Sequence, residues 1–260
     1  MEISNYTTFD LPVPYKKLMI YPITVRDYYA MSTYSLCLRL DKNSIPDPKI
    51  ISMTELEYIY RATEEDPANK PYVFLFDRLL SLCLKDDSSF EDMEKSVVSR
   101  YKYNEKGKPF FTIEDMDYNS DDFEKIKQII AKQNLIELID ENISKEVRDS
   151  LEEAREYKNR VKKPGSFEDY IVALSISTGW TIDYIYNMTV RKFLKSIKRM
   201  SILIDYKIYT QASVSGFVTF NDKSVLKHWL SDLDDENKYS DVSVDLEEIQ
   251  DKVSFESAKK

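Results

Sequence analysis

The sequence predicts a mainly α, multi-helix protein with one β-hairpin or small antiparallel sheet and an N-terminal extended segment. Three observations carry that reading. Apolar residues recur every three or four positions through most of the chain, which is the helical period. Alternation of the strand type is confined to one stretch around Gly107. Prolines cluster where the helical period fails, at Pro12, Pro14 and Pro22.

The elements follow in order. The opening LPVPYKKLMIYPITV reads as extended chain, with Leu18, Ile20 and Ile23 as strand formers and room for a short edge hairpin. Thr24 is placed to cap a helix over residues 25–40, whose apolar face holds Tyr28, Met31, Leu36 and Leu38. After DKNSIPDP a second helix is expected over 48–63, with Pro48 in its first turn. A third, over 71–84, is apolar nearly all round and should lie at the centre of the N-terminal half.

Residues 97–113 alternate about a turn at Gly107, with Val98, Arg100 and Lys102 expected on one face and Val97, Ser99, Tyr101 and Tyr103 on the other. Asn119 or Ser120 then starts a helix with acids in its first turn, as the helix dipole favours. Phe123, Ile126, Ile130, Gln133 and Asn134 fall along one side of it. Ser144 caps a charged helix, Ser166 opens FEDYIVALSIS, and Gly179 stops it. Thr181 opens a short helix, and Thr189 opens the longest one, over 190–210. There Val190, Phe193, Leu194, Ile197, Met200, Ile204 and Ile208 share a face and bases occupy the other. A terminal helix is expected at SVLKHWLSDL. The domain reading is an N-terminal extended and helical part (1–90), a hairpin insertion (91–118), a C-terminal helical part (119–233) and an acidic, mobile tail (234–260).

Composition narrows the function. Four glycines stand far apart, so there is no glycine-rich phosphate cradle. His228 is the one histidine, and Cys37 and Cys83 are the two cysteines. These supply neither a zinc site nor a nucleophile–base pair, and the two thiols read as buried and free. Acid runs such as Glu64–Glu65 and Asp121–Asp122 sit where capping explains them. The reading is of a non-enzyme with no cofactor and no metal. No apolar stretch reaches the ~20 residues needed to span a bilayer, and MEISNYTTFDLPV lacks the basic start of a signal peptide.

The net charge of −9 is uneven: residues 232–260 carry −6 of it, while bases gather at 155–163 and 191–207. Arg191, Lys192, Lys195, Lys198 and Arg199 share a helix side and have the spacing of a phosphate-binding row. The acidic tail and overall charge argue instead for a fold-back contact or a protein partner. Tyrosine abundance fits core edges first and an interface second. Trp229 lies on an amphipathic turn with His228, where packing outweighs catalysis.

Several segments carry a resemblance: YPITV before a helix, DDFEKIKQIIAKQN after a hairpin, the run from FEDYIVALSISTGWTIDYIYNM into TVRKFLKSIKRM, and SGFVTFNDKSVLKHWLSDL. Together these resemble tail-morphogenesis proteins of long-tailed phages, and residues 179–200 look like the helical module of tail assembly chaperones. The resemblance implies a non-catalytic role: binding apolar helices of a tape measure or baseplate hub client and recruiting tube subunits, in the cytoplasm of an infected host. It implies a groove along the long helix with Trp180, Tyr184, Phe193 and Ile197 as contacts; Arg191, Lys195, Lys198 and Trp229 complete the candidate partner-binding set. Self-association, a structural place in the virion, and a regulatory role on a host factor or nucleic acid remain open alternatives.

Overall fold

A computed structural model describes residues 3–42, 45, 47–65, 71–85, 96–139, 143–159, 165–216 and 228–231. The protein is mainly α with two small antiparallel sheets. The chain divides into two compact units. The first comprises Met1–Asp140 and Ile171–Ile197, the second Glu141–Tyr170 and Lys198–Lys260.

The first unit begins with a helix that the sequence reading did not contain, α1 (Ile3–Thr8), stiffened by Thr7 and Thr8 hydroxyls that donate to the Ser4 carbonyl. The proline-rich stretch forms the expected hairpin, β1 (Val13–Tyr15) with β2 (Leu18–Ile20). The helix expected over 25–40 is broken into a 3₁₀ turn (Val25–Asp27), α2 (Tyr28–Tyr34) and a second 3₁₀ turn (Ser35–Leu38). Thr24 does not cap it; its hydroxyl bonds the Asp27 carboxylate instead. Hydroxyls of Thr33 and Ser35 bond carbonyls of the preceding turn, competing with the regular ladder. The tightened turn buries Cys37 and Leu38 and leaves Leu36 exposed.

The second expected helix is likewise two: α3 (Pro48–Ser52) and α4 (Glu55–Glu65). Asp47 caps the first, with Pro48 behind it. Met53 is extended and buried, and the Thr54 hydroxyl accepts from the Glu57 N–H to restart the helix. The Thr–x–x–Glu capping signature at 54–57 is the local cause. Helix α5 (Pro71–Leu84) is central as predicted, with Phe76, Leu79, Leu80 and Cys83 buried.

Strands β3 (Val98–Tyr103), β4 (Pro109–Ile113) and β5 (Met116–Asn119) make a three-stranded antiparallel sheet, one strand more than the minimal hairpin. The expected facing of β3 is corrected by a register shift between Val98 and Arg100. The extra residue turns Val98 and Tyr101 toward the core together, with Arg100 and Lys102 exposed. Residues 98–118 are no appendage: Phe111 stacks on Tyr118 and meets Phe76 edge-on, and Phe76 packs on Phe123 at 4.9 Å between ring centres. Helix α6 (Ser120–Asn134) presents the predicted face, with Phe123, Ile126, Ile130, Gln133 and Asn134 all buried.

Charged side chains join these parts. Asp77 on α5 accepts from the Ser96 hydroxyl and the Val98 N–H, fixing the start of β3. Lys127 on α6 pairs with Glu55 on α4 inside the core. Asp122 closes a capping box with Asn119 and also accepts from the Tyr15 hydroxyl and the Lys16 ammonium, both at 2.6 Å. Burial alone would raise the Asp122 pKa, but hydrogen bonds from Lys16, Tyr15 and the Asn119 N–H outweigh it and hold the carboxyl below its ordinary value.

In the second unit, α7 (Lys145–Asn159) starts at Ser144, whose hydroxyl accepts from the Val147 N–H. Helices α8 (Phe167–Thr178) and α10 (Val190–Val214) each pass from one unit to the other, at Ile171 and Lys198. Ser166 and Asp169 form a reciprocal cap on α8. The acidic tail and most of the expected terminal helix lie outside the described residues.

Asp122→Ala should destabilise the protein by about 2–4 kcal/mol in urea unfolding, since the cap and two charge-assisted bonds go together. A depressed pKa contributes stability that is complete above the unfolded value, about 4, and is lost as pH falls through the native one. The gap between wild type and Asp122→Asn should therefore close in acid. A gap that stays constant below pH ~4 would contradict this account.

Candidate functional site

Residues 171–197 build the most distinctive surface of the first unit. Ile171 and Leu174 on α8 face inward, and Gly179 ends that helix at φ +75, with its N–H returned to the Ser175 carbonyl. Trp180 follows, its carbonyl accepting from the Ser175 hydroxyl. The Thr181 hydroxyl caps α9 (Ile182–Tyr186) through the Tyr184 N–H. Ile185, Met188, Val190 and Phe193 are buried, so this turn-rich unit is anchored from beneath.

Several large apolar side chains on it are exposed. On α8, Val172 and Ile176 stand one turn apart, and Ile176 is 80 % exposed. Ile182 is exposed at the start of α9, and Tyr184 is 49 % exposed with its ring edge-on to half-buried Trp180, 5.4 Å between centres.

The structure gives the eight candidate residues different surroundings. Trp180 and Tyr184 belong to this surface. Phe193 does not: it is fully buried, because the first two turns of α10 turn their apolar face into the core. Ile197 is half-buried at the end of the first unit. Arg191 donates to the Lys132 carbonyl at 2.8 Å, satisfying the last turn of α6. Lys195 lines a separate cleft with residues 7–10. Lys198 and Trp229 belong to the second unit. There Trp229 is half-buried, and its carbonyl and that of Ser231 accept from the Arg199 guanidinium. His228 packs against Tyr206, 5.3 Å between ring centres.

The basic row on α10 is thus not a uniform phosphate track, since Arg191 and Arg199 are engaged with main-chain carbonyls. In the second unit the expected apolar stripe of α10 continues as Ile204 and Ile208, both about half exposed. Sequence reasoning missed Ile176 and Ile182 as surface residues, because helical period marks a stripe without saying which stripe the core takes. It also missed the cleft, which depends on α1.

Several other reactive groups make structural contacts. Cys37 and Cys83 are free and buried, and burial pushes both thiols well above their ordinary pKa. Tyr60 donates to the Phe110 carbonyl, and Tyr101 packs edge-on against it. Most core-flanking tyrosines edge the apolar cluster, as the composition suggested. Among the described residues no helix is long and apolar enough to cross a membrane, and no group of three acidic, histidine or cysteine side chains is placed to hold a metal ion.

Fold and surface together define a mainly α protein with outward apolar faces on its C-terminal helices. Residues 158–234 match the family model described as the YomV second domain, a family named for a Bacillus prophage protein. The match covers less than a third of the chain and includes the 179–200 run. The segment is therefore similar to a phage-associated domain family. No curated protein and no solved structure matches the chain.

Two contrasts test the division between surface and core. Phe193→Ala should cost about 3–5 kcal/mol in thermal or urea unfolding, whereas Ile176→Ser should stay within about 0.5 kcal/mol of wild type. Gly179→Ala should cost about 1–2 kcal/mol from backbone conformation alone, because an added Cβ meets nothing within 4 Å. Equal losses for Phe193→Ala and Ile176→Ser would refute the assigned faces.

Proposed function

We propose that this chain is a non-catalytic phage morphogenesis protein, an assembly chaperone that covers apolar helical segments of a tail or baseplate client. The observation that carries the reading is the exposed set Val172, Ile176, Ile182 and Tyr184, lying inside the phage-associated segment. The tail-chaperone resemblance at 179–200 supplies the kind of client: a tape measure or hub protein whose apolar helices are uncovered before assembly. Such helices aggregate unless shielded.

Magnitudes fit a transient shield. Burying a fully exposed large apolar side chain contributes about 1.5–3 kcal/mol, and these four are already partly covered. Association itself costs about 4–15 kcal/mol. A single short segment would therefore bind weakly and leave readily, while a long client engaging several copies would be held.

The chemistry of the reactive groups supports a binding role. Both thiols are buried and protonated, and Asp77, Asp122 and Glu55 are engaged in structural contacts. The reading places the protein in the cytoplasm of an infected host, acting before the particle is complete.

Co-expression with the tape measure protein of the same phage genome should raise the soluble fraction of that client. The double change Ile176→Glu with Tyr184→Glu should abolish the rescue while the variant remains folded by circular dichroism. Mass spectrometry of purified particles should find the chain absent or in trace. Presence at a fixed copy number would replace the chaperone reading with a structural one.

A further inference from the structure

A cleft of about 480 Å³ in the first unit separates the end of α1 from the first turns of α10. Thr7, Thr8, Phe9 and Asp10 form one wall; Arg191, Lys192, Lys195 and Ser196 form the other. Its volume lies within the range of about 300–1,000 Å³ typical of ligand sites. Three cations face one carboxylate, in a chain whose overall charge is −9. At physiological salt the Debye length is about 8 Å, so a ligand in the cleft responds to these local cations before the distant net charge.

We propose that this cleft binds an acidic peptide segment of a partner protein, with carboxylates on the lysines and an apolar side chain on Phe9. The hydrogen-bonding capacity of the walls selects that chemistry over phosphate. The Thr7 and Thr8 hydroxyls already donate to the Ser4 carbonyl, at 3.0 and 2.8 Å, so toward a ligand they act as acceptors. Arg191 gives one of its guanidinium donors to the Lys132 carbonyl. Among the described residues the Lys192 ammonium makes no hydrogen bond or ion pair, and with Lys195 it supplies point charges spaced along the helix. A phosphate favours a convergent nest of N–H and hydroxyl donors. Separated carboxylates need only the spaced cations.

The acceptor-rich wall completes the match. Asp10 takes the Thr189 hydroxyl on Oδ1 and has lone pairs left, as do Thr7 and Thr8. A peptide brings backbone N–H donors to such a wall, whereas a fully ionised phosphate brings only acceptors. Phe9, 72 % exposed at the rim, offers its ring to an apolar residue between the acids. This surface is separate in sequence and chemistry from the apolar set at 172–184.

The test is fluorescence anisotropy of a fluorescein-labelled oligoglutamate peptide with one central phenylalanine, titrated with the full chain. Wild type should bind, more weakly as salt rises, and Lys192→Glu with Lys195→Glu should weaken binding at least tenfold. Phe9→Ala should weaken it several-fold. Arg100→Glu with Lys102→Glu, on the three-stranded sheet, should leave it unchanged, with circular dichroism confirming that each variant is folded. The proposal is overturned if the lysine reversals have no effect or if a glutamine version of the peptide binds equally. It is also overturned if single-stranded DNA of equal charge or inorganic phosphate displaces the peptide at lower concentration. Ile176→Ser with Tyr184→Ser should not alter binding; a loss there would put the peptide on the apolar surface and remove it from the cleft, so the outcome is independent of the chaperone reading.

Discussion

The first unit depends on the main-chain hydrogen bonds of the extended segment from Ile20 to Val25. The Tyr21 N–H donates to the Cys83 carbonyl at the end of α5, and the Ile23 N–H to the Asn134 amide oxygen at the end of α6. Gln133 donates to the Ile20 carbonyl. On the other side, the Val25 N–H reaches the Met188 carbonyl, and the Ile23 carbonyl accepts from the Val190 N–H. Pro22 interrupts no donor that the arrangement uses, with Tyr21 and Ile23 donating on either side of it. Each such buried group left unpaired would cost about 1–3 kcal/mol, so the segment is strongly specified. It brings residues 188–190, where α10 begins, beside elements more than fifty positions away, and so holds both the apolar surface and the cleft on a fixed base.

Charge plays the same joining role in the core. Glu55 with Lys127 connects α4 to α6, Asp77 connects α5 to β3, and Asp122 connects α6 to the β1–β2 hairpin. Ions so placed favour one arrangement, because breaking a partnership leaves a buried charge uncompensated. This places some of the many acids that, from composition alone, had only capping to explain them. The two surfaces left over divide by chemistry: α8 and α9 present apolar side chains, while the cleft presents cations and acceptors.

Much of the fold was legible locally. The central helix at 71–84, the capping box at Asn119, the hairpin turn at Gly107 and the stop at Gly179 rest on short-range signals with a physical mechanism. The misses have equally physical causes. Hydroxyl-to-carbonyl bonds broke the expected helix at 25–40, Thr54 restarted the one at 48, and a register shift after Val98 took Val98 off the face of Arg100 and Lys102. Of the candidate contacts, Trp180 and Tyr184 stand on the exposed surface and Phe193 in the core, although all three share aromatic character and helical context.

The sequence by itself determined the helical class and most helix starts and stops. Those properties follow from period, caps and local patterns, which act within a few residues. Only the tertiary structure decided how far along α10 its apolar stripe is core, which arginines are engaged with carbonyls, and that residues 7–10 meet residues 191–196 across a cleft. Such choices depend on contacts between distant parts of the chain, where burial and hydrogen-bond satisfaction of one element fix what the next can expose.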